Sequence, residues 1–242
     1  MPAGVEDPAD PPLVTIETDG AQLRLRLRRH ARARRISLRT DARTGDVVLV
    51  LPPRASLRAG LGFARSQAGW IRSRIAQSPA AIPFAADALL EILGEPVHVR
   101  HDPALRGAAC RDGATLRVGG KPEFIGRRVR DYLRAEARRT LSARAREKAD
   151  LIGAHISALR VADTHSRWGS CAPGGRLSFC WRLVLAPPEI VDYVVAHEVA
   201  HLAHHDHGPA FWRLVDRLTP HRGHAQSWLR RNGATLLRAG AA

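Results

Sequence analysis

Apolar and charged residues alternate near the start of the chain. Residues 23–28 read Leu-Arg-Leu-Arg-Leu-Arg, and this period of two is typical of a strand with one buried face. Further strand candidates cover residues 14–16, 36–39 and 47–51, with turn signals at Asp19-Gly20 and Thr44-Gly45-Asp46. The pattern predicts a small β-sheet that ends at Pro52-Pro53.

Helical spacing replaces this alternation after the two prolines. Residues 57–77 carry apolar side chains at intervals of three and four, which predicts a helix. A second strand-rich stretch covers residues 89–118, and Pro122 is placed to open a long, arginine-studded helix at about 123–150. The remaining predicted elements are strands at 156–162 and 176–184 and helices at 188–204, 209–218 and 224–238.

These elements predict an α+β protein with three parts. Residues 1–12 are acidic and proline-rich, and they are expected to form a disordered tail because they have little apolar surface to bury. Residues 13–120 are expected to form a β-rich N-terminal lobe with one helix. Residues 121–242 are expected to form a second, mostly helical lobe.

The composition is that of a globular protein from a reducing compartment. A chain of 242 residues can bury a real core without disulfides, and three cysteines are an odd number for a disulfide framework. The start of the chain lacks the basic-then-apolar order of a secretion signal. No segment approaches the roughly 18 apolar residues of a membrane span. A cytoplasmic protein without a membrane segment is expected.

The charge is strongly positive and is carried almost wholly by arginine. The formal net charge is +15, and Lys121 and Lys148 are the two lysines among 38 basic residues. Such a field attracts polyanions, although an alanine- and arginine-rich composition also follows from GC-rich codons. Eight arginines of the first hairpin are candidates for phosphate contacts, with a solvated sheet face as the alternative: Arg24, Arg26, Arg28, Arg29, Arg32, Arg34, Arg35 and Arg39.

One segment carries a recognisable chemistry. His197, Glu198 and His201 form the pattern H-E-x-x-H within an apolar helical run. Histidines four residues apart lie on one helix face, so both imidazoles can reach one zinc ion. Glu198 is one step round the helix, where it can act as the base that activates the water on the metal.

A catalytic zinc needs a third protein ligand. His204 and His205 continue the same helix, but seven or eight helical residues rise about 10 to 12 Å, whereas tetrahedral ligand atoms lie about 3.4 Å apart. The third ligand is therefore expected where the chain turns. His207 precedes the helix breaker Gly208-Pro209 and is preferred over His221.

Several motifs together resemble one protein family. These are Ser-Arg-Trp-Gly-Ser-Cys at 166–171, Tyr-Val-Val-Ala-His-Glu at 193–198, and His207 followed by Phe211-Trp212. They are similar to the YgjP-like metal-dependent hydrolases, a zincin-type family whose metal core resembles that of SprT-like and WLM proteases. The resemblance implies a zincin-like catalytic lobe in which His197, His201 and His207 bind the metal and Glu198 is catalytic.

The segment before the Gly174-Gly175 turn is a candidate border of the metal cleft. Arg167 could stabilise an oxyanion or hold a phosphate, and an ion pair that fixes the cleft wall is an equal alternative. Trp168 and Ser170 complete the candidate substrate-binding set, although a core role is favoured for Trp168.

Three functions remain open from the sequence. The motif favours a zinc metallopeptidase that acts on peptides or proteins. The resemblance also implies a metal-dependent UTP pyrophosphohydrolase, for which Mg²⁺ bridging the phosphates is expected as well. The arginine-rich hairpin leaves a third hypothesis, a nucleic-acid-associated protease or binding module.

Overall fold

The computed structural model describes residues 12–18, 21–41, 44–164 and 167–241. Residues 1–11 of the predicted tail and the predicted Asp19-Gly20 turn lie outside these ranges. The chain divides into two compact units, residues 1–79 and 80–242. The predicted α+β class is confirmed, since helices and three β-sheets are both present in the described residues.

The first unit is a four-stranded sheet with two helices. The strands are β1 (Leu13–Thr18), β2 (Ala21–Arg29), β3 (Ser37–Thr40) and β4 (Val47–Leu51), in the order β1-β2-β4-β3. β2 and β4 are parallel, and the other two pairs are antiparallel. The predicted alternation is present in β2, where Leu23 and Leu25 are buried and Arg24 and Arg28 are exposed.

The predicted helix at 57–77 is two helices in the structure. α1 (Leu57–Ser66) and α2 (Ala68–Ala76) are separated at Gln67, whose backbone leaves the helical region at φ −106° and ψ 17°. The Gln67 amide bonds back to Ala64 and so closes α1 with a tight turn. Buried Ala64 and Ile71 pack both helices on the core of the sheet.

The second unit contains two further sheets. β5 (Leu89–Ile92), β6 (Glu95–His101), β7 (Ala109–Asp112) and β8 (Thr115–Val118) form a sheet in the order β5-β6-β8-β7. β9 (Ala158–Ala162), β10 (Gly169–Ala172) and β11 (Arg176–Cys180) form a sheet in the order β10-β11-β9. The predicted strand at 176–184 ends at Cys180, and a 3-10 turn follows at Trp181–Leu185.

Within the described residues, four α-helices complete the second unit. They are α3 (Ile125–Asp150), α4 (Pro188–Ala200), α5 (Pro209–Leu218) and α6 (Arg222–Leu237). α3 buries Val129, Leu133 and Ala137, a stripe at intervals of four residues. α4 contacts α3, α5, α6 and β10, and most of its side chains are buried. A helix that is apolar on nearly all sides belongs in the interior, so α4 forms the centre of this unit.

The division after Pro79 differs from the boundary predicted near residue 120. Buried residues of β5, β6 and β8 share one hydrophobic core with α3 and α4. The β5–β6 turn also packs on the start of α4, where Gly94 has φ +81° and a Cβ would lie 2.9 Å from Cδ of Pro188. The amide of Leu93 donates to the carbonyl of Val184 at 2.7 Å. The second sheet is therefore part of the same compact unit as the helices.

Within the described ranges, no helix combines the length and the apolar character that crossing a membrane requires.

A buried ion pair joins three helices of the second unit. Lys148 of α3 donates through Nζ to the carbonyl of Leu218 at 2.6 Å and lies 2.8 Å from Oδ1 of Asp192 in α4. The Lys148 side chain is 10% exposed. Removing one partner of a buried pair leaves the other charge and the carbonyl without their partner, which is destabilising.

We expect Lys148→Met to lower the free energy of unfolding by about 2–3 kcal/mol. The matched control is Arg146→Met on the exposed face of the same helix, which should change stability by less than about 0.5 kcal/mol. Urea unfolding followed by circular dichroism measures both variants. Equal stability of the two variants would show that the Lys148 pair contributes nothing to the packing of α3 on α4.

Candidate metal centre and active site

Helix α4 positions the H-E-x-x-H residues at its C-terminal end. Pro188 occupies the first turn of the helix, where its missing N–H costs nothing. Tyr193, His197 and His201 follow at intervals of four residues and so lie along one face. The helix ends at Ala200, four residues earlier than predicted, and His201 is its C-cap residue.

Three histidines converge beyond this helix end. One ligand atom from each of His197, His201 and His207 lies within 4.8 Å of the others. Nε2 of His197 and Nε2 of His207 are 3.3 Å apart. Phe211 of α5 is fully buried beneath the group, stacked on His201 with ring centroids 4.5 Å apart and edge-on to His197 at 5.0 Å. The short turn between α4 and α5 therefore returns His207 to the first histidine.

The surroundings of these imidazoles suit a divalent metal. Nδ1 of His201 lies 2.9 Å from the carbonyl of His204, which can only accept, so this nitrogen carries the proton and Nε2 is left with its lone pair. Burial, and then the neighbouring His201 and His207, lower the pKa of His197 to about 4. Burial also lowers the pKa of His201. Neutral imidazoles are the form that binds zinc, so the donor set fits the metal.

The other histidines near the motif lie outside this cluster. His205 is exposed, and His204 contributes its backbone carbonyl to His201. His221 stands at the start of α6. Across the described parts of the chain, His197, His201 and His207 are the one group of three possible ligands close enough to share an ion.

Glu198 lies beside the histidines in a tightly packed position. Its side chain is buried, and burial raises its pKa to about 7, against the opposing charge of Arg167. Gly169 of β10 makes room for it, because a Cβ at this glycine would lie 2.5 Å from Cγ and 2.6 Å from Oε1 of Glu198. A carboxyl group with a pKa near 7 can both take and return a proton.

A cavity of about 570 Å³ opens beside His197 and Glu198. Its wall combines α4, the start of β10 and α6, and consists of Arg167, Trp168, Gly169, Tyr193, Val194, His197, Glu198, Gln226, Leu229 and Arg230. Tyr193 accepts a hydrogen bond at its hydroxyl from Nε2 of Gln226 at 3.1 Å. The phenolic proton is thus left to donate elsewhere.

The candidate substrate-binding residues are divided between two cavities. Arg167 and Trp168 line the cavity with His197 and Glu198, and Trp168 also packs on α6, where a Cβ at Gly233 would lie 3.3 Å from its ring. Ser170 lines a different cavity, which it shares with Arg167. Ser166 lies outside the described residues.

Six of the residues that line this cavity were not assigned to the site from the sequence, and three of them, Gly169, Tyr193 and Val194, lie within the motifs quoted above. Tyr193 could have been found, since it precedes His197 by one helical turn. Gln226, Leu229 and Arg230 come from α6, about 30 residues beyond the motif, and no local pattern marks them.

Comparison with known proteins gives one family and one distant structural match. The model of the YgjP-like metallopeptidase domain family matches residues 34–232. No curated protein matches this chain significantly. The crystal structure of the metallopeptidase zymogen of Pyrococcus abyssi abylysin is 21% identical over 41% of this chain and 97% of that chain, with a TM-score of 0.35.

The family match spans most of the chain and includes every residue of the histidine cluster and of the adjoining cavity. Metallopeptidases depend on a divalent metal, and the cluster provides a donor set for one. The chain belongs to the YgjP-like metallopeptidase domain family and is a metal-dependent hydrolase.

Proposed function

We propose that this protein is a zinc-dependent peptidase with a zincin-like catalytic lobe. In this proposal His197, His201 and His207 hold the ion, and Glu198 is the general base. The observation that carries it is the convergence of the three imidazoles within 4.8 Å, beside a buried carboxyl group that lines the same cavity as His197. Three neutral nitrogen ligands and one open position are the donor set of a catalytic zinc.

Zinc bound at this position would polarise the scissile carbonyl group and make a water molecule more acidic. Glu198 accepts a proton from the attacking water, whose oxygen adds to the carbonyl carbon. Glu198 then donates this proton to the amide nitrogen as the C–N bond breaks, so that a carboxylate and an amine leave. A pKa near 7 suits both transfers, and the contact with Gly169 fixes the carboxyl group in place.

Tyr193 and Arg167 are the nearest candidates to stabilise the oxyanion. Both line the cavity that contains Glu198. Gln226 fixes the Tyr193 hydroxyl by donating to it, so the phenolic proton can be directed at a developing negative charge. Arg167 supplies a positive charge on the β10 side of the same cavity.

The edge of β10 offers a place for a peptide backbone. Among the described strands of its sheet, β10 is outermost, and β11 pairs with one side of it only. An extended peptide can add to such an edge through backbone hydrogen bonds. Because Gly169 of β10 contacts Glu198, a peptide bound there would pass the catalytic group.

Metal loading and hydrolysis test this proposal together. After incubation with zinc, the protein is expected to hold one zinc ion per chain, as measured by mass spectrometry. It is also expected to cleave unstructured, internally quenched peptides. Glu198→Gln should keep the zinc and lose at least about 100-fold in kcat, because a general base is removed. His207→Ala should lose both zinc and activity, whereas the matched variant His221→Ala should keep both.

The same preparations also test the nucleotide alternative. Pyrophosphate release from UTP that Glu198→Gln abolishes, without peptide cleavage, would replace the peptidase proposal with a phosphoanhydride hydrolase. Zinc retained at full stoichiometry in His207→Ala would contradict the proposed ligand set.

Gly169→Ala is expected to damage catalysis without removing the metal. The added methyl group would overlap Cγ and Oε1 of Glu198, so the carboxyl group must move. A displacement of about 1 Å in a catalytic group can cost about 100-fold in rate, and we expect kcat to fall about 10- to 100-fold with zinc content unchanged. Gly223→Ala is the control, because a Cβ there meets nothing within 4 Å. Similar kcat values for the two variants would rule out the tight contact.

Tyr193→Phe is expected to lower kcat about 10- to 100-fold and to leave KM within about twofold, because the donated hydrogen bond is needed in the transition state. Tyr132→Phe on α3 is the control, since Tyr132 and Tyr193 are the two tyrosines of the chain and Tyr132 is outside the cavity. Steady-state kinetics on one peptide separate the two parameters. A change confined to KM would assign Tyr193 to substrate binding.

A further inference from the structure

A second cavity lies on the outer face of the β10-β11-β9 sheet. Leu177 and Phe179 of β11 are buried in the core, so the alternate residues of this strand, Arg176 and Ser178, lie on the opposite face. The cavity there has a volume of about 560 Å³ and is lined by Ala158, Leu159, Arg160, Arg167, Ser170, Cys171, Ala172, Arg176, Leu177 and Ser178. None of these lining residues is acidic.

The strand register defines the shape of this surface. Ser170, Ser178 and Arg160 form one row across the three strands, and the next row of this face contains Arg176 between two alanines. Apart from the two arginines, these rows consist of small side chains, which form the floor of the cavity. Arg160, Arg167 and Arg176 are exposed around it and supply three positive charges.

Arg167 connects this surface to the catalytic cavity, because it lines both. In β10, Gly169 faces Glu198, and Ser170 and Ala172 face the second cavity. The side chains of a peptide added to the edge of β10 would alternate in the same way. One set would face the catalytic cavity, and the other set would face the arginines.

We infer that this outer surface, which we call the arginine groove (Arg160, Arg167 and Arg176), binds acidic side chains of the peptide substrate. The inference rests on the proposed peptidase function and adds a specificity to it. Substrates carry Glu or Asp at alternate positions near the scissile bond. Their carboxylates pair with the guanidinium groups above the small side chains of Ser170, Ala172 and Ser178. Arg160 is held over this floor by the hydrogen bond that its Nε donates to Oγ of Ser178 at 3.3 Å.

A peptide fits this surface better than a nucleotide or a nucleic acid. The three arginines come from different parts of the sheet, Arg160 from β9, Arg176 from β11 and Arg167 from the residues just before β10, so their charges are distributed across three strands. Among the described strands, β10 pairs on one side only, and a polypeptide backbone can add to such an edge whereas a nucleotide cannot. The positive charges of the arginines and the edge of β10 therefore both favour an acidic peptide as the ligand.

Two matched peptides test the inference. One carries Glu and the other carries Gln at two positions that are two residues apart. For the wild-type protein at low salt, we expect kcat/KM to be about fivefold to tenfold higher for the Glu peptide than for the Gln peptide. This ratio corresponds to the free energy that two partly exposed ion pairs contribute. The preference should disappear in about 0.5 M salt, because such pairs are screened.

Arg160→Gln/Arg176→Gln is expected to reduce the Glu-to-Gln ratio of kcat/KM to about one. The control Arg138→Gln/Arg146→Gln removes the same charge from exposed positions of α3 outside both cavities and should keep the wild-type ratio. Zinc content and thermal unfolding verify that both double variants are folded and loaded.

Three results would overturn the inference. Equal cleavage of both peptides by the wild-type protein would remove the acidic specificity and leave the peptidase function intact. Cleavage of neither peptide by zinc-loaded protein would remove the proposed function itself. The third result is inhibition by an oligonucleotide whose inhibition constant is lower than the KM of the Glu peptide. If the Arg160→Gln/Arg176→Gln variant also loses this inhibition, the arginine groove would be assigned to nucleic acid.

Discussion

The site depends on how one buried helix ends. α4 lies in the core on nearly all sides and stops at Ala200, so its last turn brings His197 and Glu198 to the edge of the core with little freedom to move. His201 caps the helix and bonds to the His204 carbonyl, and the chain then turns within a few residues to start α5 at Pro209. This turn brings Nε2 of His207 to 3.3 Å from Nε2 of His197. A longer helix would have carried the third imidazole away along its axis.

Phe211 and Gly169 each support one part of this arrangement. Phe211 packs under the rings of His197, His201 and His207, so the start of α5 is fixed to the end of α4. Gly169 permits β10 to approach α4 so closely that the carboxyl group of Glu198 lies against its backbone. The contact under the histidines is made by the large aromatic ring of Phe211, whereas the contact with Glu198 is possible because Gly169 has no side chain. Both place polar groups at a low-dielectric surface, where an electrostatic interaction with a substrate is stronger than in water.

The sequence predicted the parts of the site that lie close together along the chain. The sequence selected His197, His201 and His207 from their spacing and from the turn before Pro209, and the structure brings one nitrogen of each within 4.8 Å of the others. The cavity wall from α6 was not predictable in this way, because Gln226 and Arg230 meet the motif only through tertiary packing. The division after Pro79 differs from the boundary expected near residue 120 for the same reason. The strands of 89–118 have the same kind of sequence pattern as those before them, and the core that they share with α3 places them with the second unit. The α+β class and most helices followed from periodicity, whereas the break at Gln67 reflects a local backbone choice that no pattern marks.

The central position of α4 has a consequence for how the metal can be handled. Helix α4 shares one buried hydrophobic core with α3, α5 and α6, while a bound ion would touch only the three histidine side chains at its end. From the extent of this core we expect the unit to fold without an ion, in contrast to small zinc domains that are unfolded without metal. A folded apoprotein would then be able to take up other divalent ions at the three histidines. Cobalt bound there would act as a spectroscopic reporter, because its absorption spectrum depends on its coordination number.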